Sequence, residues 1–169
     1  MPTMPKDASD SPAATDRSEG FGERLLGTMI DRAHEMPPQL IAPLVAEVIA
    51  AIGGSDVTVL LQDYDQLTLV SLPGRGLLAE APVPIDGSSA GRAFLGDELV
   101  ERTEGDLVRV FVPLLDGTDR VGVLAFTSER LDEYDRRLAR RFGGLLADVL
   151  VTKGTVSYTH LTLPTICSV

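Results

Sequence analysis

Apolar residues first recur with a helical period at Phe21, Leu25 and Met29, and with Arg32 on the same stripe they predict a short amphipathic helix that runs to about His34 and stops before Pro37-Pro38. A second helix is predicted over 39–52, because Leu40, Leu44, Val45, Val48 and Ile52 share one face and Gly53-Gly54 supplies a stop. The pattern then changes period. Residues 56–62 form a nearly continuous run of β-branched and aliphatic side chains, as in a strand covered on both faces. After a turn over 63–66, residues 67–72 return as its hairpin partner, closed by Pro73-Gly74. A short third strand follows at 81–84. Asp86 or Ser88 then caps a two-turn helix through Gly91 and Leu95, which Gly96-Asp97 ends. Strands over 99–102, 107–115 and 121–127 complete the sheet, the last two meeting at Asp116-Gly117. A final helix starts at Asp132-Glu133, where carboxylates suit the positive helix end, and extends to about Val151.

Along that last helix Leu131, Tyr134, Leu138, Phe142, Leu145 and Val149 follow alternating steps of three and four. The stripe fits either a coiled-coil-like dimer seam or a helix packed on its own domain, because it falls short of the roughly three to four heptads that separate the two. The ends read differently from the body. Residues 1–19 are rich in Pro, Ser, Asp and Ala without apolar periodicity and are expected to form a disordered leader, with 20–36 as an N-terminal helix and 37–152 as the domain. Residues 155–169 contain no Ala, Arg, Asp, Glu or Gly, although the body is dense in all five. That string resembles translated sequencing-adapter read-through, so 153–169 is read as non-native or disordered and the chain as the N-terminal part of a longer protein.

At 169 residues the chain suits one domain with one core. Its formal net charge of −10 argues against a nucleic-acid surface, which needs clustered cations to displace counterions. The one basic run, Arg136-Arg137 with Arg140-Arg141, reads as the solvated face of the final helix. No stretch approaches the ~20 apolar residues of a membrane span, and the N-terminus lacks the apolar region of a signal peptide, so a cytoplasmic protein is expected. Cys167 is the single cysteine and His34 and His160 the only histidines, too few for a disulfide or a zinc ligand set. No metal or cofactor is expected.

Catalytic signals are weak. Asp86-Gly87 and Asp116-Gly117 are turn dipeptides, Asp97-Glu98 and Asp132-Glu133 flank helices, and Gly74-Arg75-Gly76 lacks the rest of a phosphate loop. Ser88 and Ser89 open a helix, where capping is the ordinary role.

Two segments carry a resemblance, residues 83–94 (VPIDGSSAGRAF) and 109–126 (RVFVPLLDGTDRVGVLAF). In residue choice and order they resemble the GAF family of sensory domains, and the likeness extends over about 37–151. It implies an α/β (α+β) fold with a central antiparallel sheet of five to six strands flanked by helices, a homodimer, and regulation rather than catalysis. It also implies a small-molecule pocket between the sheet and the helix at 88–95. Ser88, Ser89 and the helix amides would hold an anionic group there, Arg92 or Arg109 would assist, and Phe111 and Tyr64 would form walls. The cysteines of sulfoxide-reducing or bilin-binding members are missing from the domain, as is the Asn-Lys-Phe-Asp-Glu signature of cyclic-nucleotide binders. Residues 151–154 resemble the junction leading into a sporulation-type metal-dependent serine/threonine phosphatase. A GC-rich bacterial origin fits the basic residues, which apart from Lys6 and Lys153 are all arginine. A histidine kinase or an antiterminator is the alternative output, and a free-standing binding protein or redox enzyme is disfavoured.

Overall fold

The computed structural model describes residues 12–154, and for 12–19 the backbone alone. The leader expected at 1–19 and the tail at 153–169 therefore lie mostly outside the described residues. Helix α1 spans Pro12–Glu35 and α2 spans Ile41–Ala51, with a single 3-10 turn at Pro38–Leu40 between them. Strands β1 (Ser55–Gln62), β2 (Thr68–Ser71) and β3 (Val83–Pro84) follow, then α3 (Ser89–Gly96), β4 (Val100–Glu104), β5 (Leu107–Asp116), β6 (Asp119–Ser128) and α4 (Glu133–Thr152). The six strands form one antiparallel sheet in the order β3-β2-β1-β6-β5-β4, so the expected strand count and flanking helices are both present.

The sheet is covered on both faces. Val110, Val112 and Leu114 of β5 join Val57, Val59, Leu124 and Phe126 in a core closed by α1, α2 and α4. On the opposite face Phe111 joins Leu60, Val123, Ala125 and the α3 residues Ala90, Ala93 and Phe94. Alternation along β5 thus sends even-numbered residues to the large core and odd-numbered ones to the α3 side. This two-sided burial is what the unbroken apolar runs of β1 and β6 encode.

Local signals hold where they were strongest. Ser88 caps α3 by accepting from the Gly91 amide at 2.9 Å. Asp132 caps α4 in a reciprocal box with Asp135, its carboxylate accepting from the Asp135 amide at 2.8 Å. The β5–β6 hairpin turns at Asp116-Gly117, with Asp116 paired to Asp119.

Three expectations are corrected. Helix α1 begins at Pro12, not near Phe21, so 12–19 do not belong to an unstructured leader; Pro12 suits a first turn and Ala13-Ala14 favour helix. Its buried face is Leu26, Met29 and Ala33, while Phe21 is 43% exposed. Adjacent Leu25 and Leu26 allow either stripe, and docking against α4 selects the second. Lastly, the stripe on α4 is not a free dimer seam. Phe142 is 1% exposed, Leu138 and Val149 are buried with it, and Leu131, Tyr134 and Leu145 pack on the same core. The helix lies so close to β5 that a Cβ on Gly143 would meet Val112 Cγ1 at 2.9 Å and the Pro113 carbonyl at 3.0 Å.

Candidate functional site

The six ligand candidates fall in three places. Ser88, Ser89 and Arg92 line a shallow concavity of about 590 Å³ at the open end of α3, together with Ile85, Asp86, Gly87, Leu95 and Gly96. Within it the Ser88 hydroxyl is already engaged, donating to the Pro84 carbonyl and accepting from Gly91. It closes the helix start rather than facing a ligand. The far end of α3 is clasped by Arg120, which donates to Asp97 Oδ1 at 2.9 Å and to the Leu95 carbonyl at 3.0 Å.

Tyr64 forms no wall. It is 80% exposed at the β1–β2 turn, where Asp65 Oδ1 accepts from the amides of Leu67 at 2.8 Å and Thr68 at 3.2 Å and so aims the preceding residue outward. Those amide bonds also hold the Asp65 carboxyl below its ordinary value. Phe111 is buried among the α3-side residues, and the Arg102 guanidinium lies over its ring, 5.4 Å from the centroid.

Arg109 is the most informative member. It is odd-numbered on β5, hence on the α3 side of the sheet, and its side chain is only 8% exposed. A buried guanidinium needs partners on every side, and here it has them. Nη1 donates to the Asp56 carbonyl and to Thr127 Oγ1 at 3.1 Å, while Nη2 donates to Thr58 Oγ1 at 3.4 Å and to Glu80 Oε1 at 3.1 Å. Thr58 Oγ1 in turn donates to the same Glu80 oxygen at 3.3 Å.

Sheet register explains the gathering. Arg109 sits directly opposite Thr127 on β6, and Thr58 of β1 pairs with Ala125, two positions along that strand. A register shift between Ser55 and Thr58, with Asp56 at φ +50°, brings the Asp56 carbonyl to Nη1. Glu80 arrives from the connection between β2 and β3, whose backbone is tied to Ser71 Oγ by two bonds of 2.7 and 3.0 Å. Glu80 carried no signal in the sequence, and for Thr58 and Thr127 the only available hint was a polar residue inside an apolar strand run.

Among the described residues no three His, Cys, Asp or Glu side chains converge as a metal-ligand set, and no helix is long and apolar enough to cross a membrane.

The sequence matches no protein-family profile and no curated protein. Solved structures do match. The nlh2 GAF domain of A. aeolicus in an inactive state aligns with TM-score 0.68 at 10% identity, over 80% of this chain and 99% of that one. A free methionine-R-sulfoxide reductase from Neisseria meningitidis, in complex with its substrate, aligns with TM-score 0.63 at 17% identity, over 80% and 92%. The GAF domain of an Acinetobacter phosphoenolpyruvate-protein phosphotransferase gives 0.62 at 13%, over 80% and 96%. The chain has the GAF domain fold.

Proposed function

We propose that the chain is a cytoplasmic GAF-type sensory and dimerisation domain, without catalytic activity of its own, that regulates a metal-dependent serine/threonine phosphatase domain following it. The observation that carries this reading is the division of the sheet. The Arg109 cluster and α3 lie on one face, whereas α1 and α4, at the two ends of the described chain, lie together on the other. Strand β5 serves both: Arg109 and Phe111 alternate along it with Val110 and Val112, and α4 rests on it at Gly143. A ligand that alters β5 therefore has a short mechanical path to the helix leading onward, provided that helix has two arrangements to choose between. The phosphatase output is supported by the resemblance at 151–154. A thiol-based reductase reading has no support, because the only cysteine is Cys167, outside the described residues.

Reading the gene in frame past codon 153 tests the output assignment. A phosphatase domain with its acidic metal ligands is expected; a kinase or a nucleic-acid-binding domain in that place overturns it.

With the α4 stripe buried, self-association falls to the surface of α1 and α2, where Phe21, Leu25, Leu44 and Val48 line a groove of about 270 Å³ bordered by the Arg32–Glu47 ion pair. Sedimentation equilibrium should show a dimer at micromolar concentration. Phe21→Glu should give a monomer with a melting curve nearly unchanged, since a surface substitution of this kind shifts stability within about 0.5 kcal/mol. A monomeric wild type would remove dimerisation from the proposal.

A further inference from the structure

Asp86-Gly87 and Asp116-Gly117 are the two aspartyl-glycyl bonds of the chain, and the fold treats them differently. Asp116 is half-buried at the end of β5 and paired with Asp119 across the β5–β6 turn. Asp86 and Gly87 are exposed in the turn between β3 and α3, where they line the open concavity beside that helix. Among the described residues no hydrogen bond or ion pair engages the Asp86 carboxyl or the Gly87 amide. Gly87 has φ +82°, and nothing lies within 4 Å of where its Cβ would be. The backbone on either side is held hard. Ser88 Oγ donates to the Pro84 carbonyl and accepts from the Gly91 amide, and a Cβ on Gly91 would stand 1.6 Å from the Ile85 carbonyl oxygen. An unrestrained dipeptide is thus enclosed by a bridge of fixed span.

We propose that Asp86-Gly87 is a self-modifying bond, which isomerises to an isoaspartyl linkage and thereby unseats α3. The Gly87 amide nitrogen attacks Asp86 Cγ and bonds to it, and the carboxyl hydroxyl leaves with the amide proton as water. In the succinimide that results, water adds at the main-chain carbonyl carbon of Asp86 and breaks its bond to the Gly87 nitrogen. The chain then runs through Cβ and Cγ, and the former main-chain carbonyl is left as the free carboxylate. Opening at Cγ instead restores aspartate. Composition and charge are unchanged, and water is the only co-reactant. Ring closure needs an unbonded amide, no side chain shielding it, and an aspartate whose main chain is free to rotate, all of which Asp86-Gly87 has. Rotating Asp116 breaks its ladder pairing, so there the hairpin has to open first. The consequence for the fold lies in chain length. An isoaspartyl linkage adds one methylene carbon to the main chain between Ile85 and Gly87, and the span that Ser88 bridges no longer fits. The cap opens, and Ala90, Ala93 and Phe94 lose their seat on the sheet. None of this depends on the sensory reading, the dimer or the output domain.

The full chain, kept warm at neutral pH for weeks, is cleaved after arginine, which places the two bonds in separate peptides, 76–92 and 110–120. An isoaspartyl methyltransferase with radiolabelled S-adenosylmethionine then transfers one methyl group to each isoaspartyl carboxylate. The chain has no asparagine, so every methyl group taken up reports an aspartate that has isomerised. Isoaspartate in 76–92 should accumulate at least about tenfold faster than in 110–120, the cost of opening a strand pair. Asp86→Glu, which would have to close a larger ring, should abolish it, and Asp86→Asn, which releases ammonia in place of water, should speed it. Wild type alone decides the site, whatever either variant does to folding. In the isoaspartyl fraction, hydrogen exchange at 88–96 should quicken while 133–152 stays slow, and the melting temperature should fall by about 3 °C, as for a lost helix cap. A rate in 76–92 no greater than in 110–120 overturns the site, and isoaspartate at position 86 with exchange along α3 unaltered overturns the unseating.

Discussion

Phe142→Ala is expected to lower the unfolding free energy by about 3–5 kcal/mol, and Phe142→Glu to abolish the cooperative transition. Phe142 is 1% exposed in the middle of α4, within the core shared with β5, α1 and α2. Truncation there removes the ring's burial and leaves a cavity beneath a helix that already lies close on the sheet. A carboxylate is worse, since it must lose its hydration without a counter-charge or take up a proton. Domains of this size hold only about 5–15 kcal/mol in total, so little would remain. Urea titration followed by far-ultraviolet circular dichroism measures both variants. A Phe142→Glu protein that unfolds cooperatively as a folded monomer would move the stripe to the outside and restore it as a dimer seam. The contrast with Phe21→Glu separates the two roles: one helix position holds the fold, the other faces solvent.

Gly91→Ala should cost about 3 kcal/mol, the upper end for overpacking, and Gly91→Leu more. An ideal Cβ at this position would stand 1.6 Å from the Ile85 carbonyl oxygen, 2.4 Å from its carbon and 2.7 Å from the Ile85 Cα. These are backbone atoms next to β3, so no side-chain rotation relieves the clash and α3 has to shift from the strand end. For a domain of this size the melting temperature should fall by roughly 10 °C. The same displacement would open the Ser88 cap and loosen Ala90, Ala93 and Phe94 from the sheet, which hydrogen exchange along α3 would show. An unchanged melting temperature would mean that α3 stands farther from Ile85 than the structure has it.

Much of the architecture could be read from local pattern. The Asp116-Gly117 turn, the α3 cap and the Asp132 helix start each depend on chemistry within four residues; the first and last appear where the sequence put them, and of the two caps it offered for α3, Asp86 or Ser88, the structure uses Ser88. Strand boundaries moved by a residue or two, as at β4, expected over 99–102 and found at Val100–Glu104. The candidate site was only half legible. Ser88 and Ser89 were read as the start of a short helix, whereas Arg92 and Arg109 were named only through the pocket that the family resemblance implies. Tyr64 was misplaced because an aromatic in a turn carries no signal of the direction in which the turn will aim it.

Periodicity determined which residues form helix and strand and that β1, β5 and β6 are covered on both faces, because φ/ψ preference and side-chain alternation are properties of neighbouring residues. Tertiary structure alone decided the rest. Which of Leu25 and Leu26 faces inward, and whether the α4 stripe meets its own core or another chain, depend on what docks against each helix, and the covering surface is built by segments far away in sequence. The Arg109 cluster is the clearest case: its partners Glu80 and Asp56 lie 29 and 53 residues away. They meet only once strand register and the path of 72–82 are set, and a buried guanidinium, which cannot shed its charge, requires that such partners be found.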